Sequence, residues 1–127
     1  MAVETLDTRV GTIFVIRPDD DAETVYLRAE VGTVAELRNP AHYLRAAMAG
    51  NRFGLGTNGA VLSLGEDEAG TVYLTQRRAA ADIADDATRE AALQPFAAAL
   101  ESWRNRLALE GRKPVEPTAE ADDEEVR

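Results

Sequence analysis

The sequence predicts an α+β domain: a five-stranded antiparallel sheet with helices packed on it, in the order β-β-β-α-β-β-α. Three observations point there. Residues 24–31 (TVYLRAEV) alternate apolar and polar with a period of two. Clusters of acids, Gly and Pro separate short β-branched or alternating runs. Two longer stretches, opening near Asn39-Pro40 and Asp86, carry apolar residues at helical spacing.

The elements follow in order. Val3 to Leu6 is a short strand. Thr12 to Ile16 (TIFVI) is a β-branched and aromatic run, the pattern of a largely buried strand. Pro18-Asp19-Asp20-Asp21 breaks it. The next strand, from Thr24 to Val31, puts Val25, Leu27, Ala29 and Val31 on one face and Tyr26, Arg28 and Glu30 on the other. Asn39 supplies a helix cap and Pro40 suits the first helical position. That helix runs to about Ala49, with Gly50-Asn51 as a stop and Tyr43, Leu44, Ala47 and Met48 on one face.

Gly54, Gly56 and Gly59 then make a loop before a strand from Ala60 to Leu64. Glu66 to Gly70 is a solvated turn, and Thr71 to Gln76 is the partner strand. A last helix runs from about Asp86 to Leu109, with Leu93, Phe96, Leu100, Trp103 and Leu107 as its apolar stripe. Pro95 should kink this helix or split off its first turn. After Gly111, Pro114 and Pro117 break structure. Six acids against Arg127 alone give the segment from Glu116 a net −5, over half of the total −9. We expect a folded domain over 1–111 and a disordered acidic tail over 112–127.

Composition narrows the function. At 127 residues and 45% hydrophobic, the chain holds one domain with a real core. No apolar run nears the roughly 20 residues that span a bilayer, and the first nine residues lack a signal-peptide pattern, so we expect a cytoplasmic protein. The absence of cysteine removes disulfides, thiolate catalysis and most structural zinc sites. A net charge of −9 argues against nucleic-acid and anionic-membrane partners.

No motif assembles a catalytic or metal site. His42 is the single histidine and has no second ligand of its kind, so a surface or partly packed residue is the default reading. FGLGTNGAVL has glycines but no P-loop Lys, and it runs into a strand instead of a helix. Neither Asp19-Asp20-Asp21 nor Glu66-Asp67-Glu68 has the spacing of a calcium loop. Phe96 and Trp103 are better read as core than as a ligand groove. We expect no enzyme activity, no cofactor and no metal.

The stretch NRFGLGTNGAVLSL (Asn51 to Leu64) resembles the signature of the type III secretion chaperones of the CesT/Tir-chaperone family. There a helix ends in an Asn-aromatic segment, followed by a Gly-rich turn and a strand of small and leucine residues. The order of elements over Val3 to Leu107, the run LTQRRAAADI and the closing ESWRNRL agree with it. The resemblance implies a homodimer that binds the N-terminal region of a secreted effector in extended form and keeps it secretion-competent. Members usually begin with an amphipathic helix. This chain starts almost at the first strand, so that helix is expected to be missing, whether absent by nature or cut away.

Its loss would expose apolar sheet surface, which makes Ile13, Val15, Val25 and Leu27 the expected effector-binding residues. Tyr43, Leu44, Ala47 and Met48, with Val61 on the strand of small residues, are the expected dimer interface. The alternative function is a regulatory adaptor of the same fold, holding a secretion-linked regulator.

Overall fold

The structure, a computed structural model, describes residues 1–114. The strands are β1 (Ala2–Thr8), β2 (Gly11–Arg17), β3 (Thr24–Thr33), β4 (Val61–Leu64) and β5 (Thr71–Ala79). All pair antiparallel, in the spatial order β1-β2-β3-β5-β4. Helix α1 (Pro40–Gly50) carries the chain from β3 toward β4, and α2 (Asp86–Leu109) closes the described fold. Class and element order are those predicted. The short first strand is longer than expected and spans seven residues.

The caps form as the residue types dictate. Asn39 Oδ1 accepts from the His42 amide at 3.2 Å, and Asp85 Oδ1 from the Thr88 amide at 2.9 Å. Helix α2 runs through Pro95 as one element, so its first turn is not a separate piece. The Pro95 carbonyl also accepts from Asn58 Nδ2 at 2.9 Å, which ties the Gly-rich loop to α2 at the residue where the ladder lacks a donor.

One face of the sheet is the core. Ile13, Val15, Val25, Leu27, Ala29, Val72 and Leu74 point into it and pack with Phe96, Leu100, Trp103 and Leu107 of α2. The sheet's other face carries Phe14, Ile16, Tyr26, Arg28, Tyr73 and Val61, with the Arg28 guanidinium 4.1 Å from the centre of the Tyr73 ring. Past α2 the chain turns back: Arg112 bridges Leu37, and the Lys113 amide donates to Glu36 O at 2.8 Å. Of the acidic tail expected over 112–127, residues 115–127 lie outside the described residues.

The acidic turns are built from their own carboxylates. Asp21 accepts from the Glu23 amide at 3.0 Å and from Thr24 Oγ1 at 2.7 Å. Asp67 accepts from the Thr71 amide at 3.2 Å and from Thr71 Oγ1 at 2.7 Å. These bonds hold both carboxyls below the ordinary carboxylate value.

Candidate functional site

The expected effector-binding residues are interior. Ile13, Val15, Val25 and Leu27 all lie on the inner face and are almost entirely shielded from water. The reason is α2: its stripe of Phe96, Leu100 and Trp103 covers the face left open in the sequence-based expectation. Only Ile13 reaches a surface groove.

That groove lies between β1, the outermost strand, and the first half of α2. It has a volume of about 350 Å³ and is floored by Ile13, Leu93 and Ala97, with Thr8, Arg89 and Gln94 along its sides. Leu93 and Ala97 are four residues apart, so α2 presents both on one stripe. No residue of β1 is fully buried. The strand is held to α2 by polar contacts at the ends of the groove. Arg89 is paired two-pronged with Glu4 at 3.1 and 3.3 Å, and Arg9 with Glu101 at 3.2 and 3.0 Å. Arg104 Nη1 donates to Val10 O at 2.7 Å. The Arg9 guanidinium holds the Glu101 carboxyl below its ordinary value.

β1 has an open edge. Among the described residues it pairs with β2 alone, across the two-residue turn Arg9-Val10 that closes on the pair Thr8–Gly11. In such a hairpin the closing pair exchanges ladder bonds and the pairs then alternate. Val3, Thr5 and Asp7 therefore turn their amides and carbonyls away from the sheet.

The expected dimer residues divide. Tyr43 is fully buried: its hydroxyl donates to Trp103 O at 3.0 Å, its ring meets Trp103 edge-on at 6.0 Å, and burial pushes its pKa up to about 12. It belongs to the core because four apolar positions on an 11-residue helix span two sides, and one side faces α2. Ala47 is also buried, whereas Leu44 is half-buried and Met48 is 76% exposed. Val61 is exposed on the opposite face of β4 from Leu62 and Leu64. A second groove of about 170 Å³ lies between α1 and β4, lined by Leu44, Ala47, Met48, Leu62, Leu64 and Val72.

Beside it stand two exposed side chains that the sequence reading passed over, Phe53 and Leu55, at 90% and 80%. Phe53 holds a left-handed backbone (φ 54°), which a bulky residue keeps only where its surroundings impose it. The imposing contacts are the Gly56 amide to Gly50 O at 2.9 Å, the Gly59 amide to Gly54 O at 3.0 Å, and Trp103 Nε1 to Gly56 O at 2.9 Å. Gly56 is needed for close approach: a Cβ there would sit 2.8 Å from Gly50 Cα. A Gly-rich run after a helix signals such a loop, but nothing local signals which side chains it displays.

Among the described residues no helix is long and apolar enough to cross a membrane. The fold is that of a small α+β protein with one sheet edge open among the described residues. The model of the Tir chaperone protein (CesT) family matches residues 10–104, three quarters of the sequence, and the chain belongs to that family. It is thus a chaperone of the type III secretion kind. No curated protein matches the chain.

Proposed function

We propose that this chaperone binds the N-terminal region of a secreted effector as an extended segment laid along β1. The carrying observation is the open edge of β1 beside an apolar groove. Outward amides and carbonyls supply sequence-tolerant affinity, and the groove takes apolar side chains at alternate positions. On α2 the groove is lined from Asp86 to Ala97, so its length is roughly 16 Å at the helical rise. That accommodates about five extended residues. A site of this kind holds a segment unfolded, as a secretion chaperone must, and asks for neither cofactor nor metal. Ile13 keeps its place in the site as the groove floor, while Val15, Val25 and Leu27 support it from beneath.

A second copy packs on the α1–β4 face in this reading. Met48 and Leu64 are the exposed anchors there, and Leu44 and Ala47 line the groove between them. Burying each large apolar side chain contributes about 1.5–3 kcal/mol, which a self-complementary patch gains twice.

Thr5→Pro tests the site. Proline is tolerated on an edge strand but removes an outward donor and its ring obstructs pairing. The variant should keep its melting temperature within about 2 °C. It should bind the effector's N-terminal segment roughly tenfold or more weakly by calorimetry. Unchanged affinity would place the segment elsewhere, such as the outer side of α2 around Ser102 and Arg106.

A further inference from the structure

The two outer strands of this sheet are not alike. β4 is the other edge, and an antiparallel edge of Val, Leu and Ser is a ready template for an added strand. Its rungs are nevertheless occupied. Leu62 sits opposite Leu74, and both its backbone groups turn outward to one side chain. The Leu62 amide donates to Asn51 Oδ1 at 2.8 Å, and Asn51 Nδ2 donates to Leu62 O at 2.8 Å. The Asn51 carboxamide thus takes both bonds that a neighbouring strand would make at that residue. One rung earlier, the Ala60 amide donates to Thr57 O at 3.1 Å and the Thr57 hydroxyl donates to Ala60 O. Thr57 is fully buried. Alternation leaves Leu64 as the one outward rung of the strand without such a partner among the described residues.

We propose that Asn51, with Thr57, closes the β4 edge to strand addition, and that this directs any extended chain to β1. Asn51 is a specificity-determining residue in this sense, for three chemical reasons. Only a primary carboxamide offers one donor and one acceptor side by side, matching a peptide group. Aspartate keeps the acceptor but sets a charge against Leu62 O. Leucine fills similar volume and offers neither bond. The position is fixed from behind, because Asn51 ends α1 and its own amide donates to Ala47 O at 3.0 Å. The closure also bears on how two copies meet at the α1–β4 face: they pack side chains and do not continue one sheet through β4. The sealing of β4 stands on these bonds alone and holds whether or not an effector segment occupies β1.

The test needs no effector. Amide exchange by NMR on the unmodified protein should show the Leu62 amide and one Asn51 Nδ2 proton protected together. In Asn51→Ala the Leu62 amide should exchange roughly tenfold faster or more. The double variant Asn51→Ala/Thr57→Val, with two rungs opened, should form species larger than the parent's in light scattering, growing with concentration and carrying an infrared band of intermolecular β-structure. A folded double variant with the parent's assembly state and the parent's Leu62 exchange overturns the proposal. If the variants fail to fold, the unmodified protein decides: Leu62 and Asn51 Nδ2 protons exchanging at exposed rates overturn it, and their joint protection supports it.

Discussion

The two edges of this sheet solve the same physical problem in opposite ways. Every edge strand carries unpaired backbone groups that attract another chain. At β4 the protein spends an Asn side chain, a buried Thr and a Gly-rich loop pinned by Trp103 on satisfying those of Ala60 and Leu62. At β1 none of the outward groups has a partner among the described residues, and the strand is held by arginine contacts to α2 and by the half-buried Leu6 packed against the core. A protein avoiding aggregation would close both edges. Closing one and leaving the other beside apolar side chains is what a protein needs if it is to take up one extended partner in one place.

The comparison breaks most severely at Trp103. This residue supports the α1–loop–β4 side through Gly56 O and the Tyr43 ring, and it lies beyond the β1 groove. Trp103→Ala should cost about 3–5 kcal/mol in denaturant unfolding. Exchange should rise first in the loop and β4, and last in β1–β2. Gly56→Ala should act in the same direction by about 1–3 kcal/mol, because the new methyl meets backbone that has little room to move.

Met48→Glu separates assembly from folding. The side chain is 76% exposed, so the melting temperature should move by no more than about 2 °C, while light scattering should shift from dimer to monomer at micromolar concentration. A dimer that persists unchanged would put the subunit contact away from α1 and β4.

Smaller effects sharpen the β1 side. Glu4 and Arg89 are partly exposed, so Arg89→Ala should lower stability by at most about 1 kcal/mol, seen as faster exchange confined to β1. Acid should act on the turns joined to β3 and β5, as well as on the Asp85 cap of α2 and on Glu101. Asp21 and Asp67 have folded-state pKa values lowered from 3.8 by their hydrogen bonds, so their stabilisation is complete above that value and is lost as pH falls below it. Asp21→Asn and Asp67→Asn should each flatten the fall in melting temperature below about pH 4.

Much of the fold was legible in local pattern. The period-two run from Thr24 located β3, Asn39-Pro40 marked the start of α1, the apolar stripe from Leu93 to Leu107 located α2, and the glycines between Asn51 and Ala60 located the loop. The sites were less legible, because they depend on which face meets what. The alternation in β2 and β3 shows that Ile13, Val15, Val25 and Leu27 share a side, but only the packing of α2 shows that this side is covered. Tyr43 and Met48 look alike on a short amphipathic helix until the neighbour of each is known. The groove needs β1 at the sheet's edge, a fact of strand order. The Asn51–Leu62 pair joins residues eleven apart through a side chain, and no periodicity records it.

The central claim is that an extended partner segment adds to β1 and not to β4. Hydrogen-exchange footprinting of the chain with and without the N-terminal segment of its secreted effector tests it most directly. The account predicts new protection at the amides of Val3, Thr5 and Asp7, with Leu62 and Leu64 unchanged between the two states. New protection along β4, with β1 exchanging as in the free protein, would contradict it.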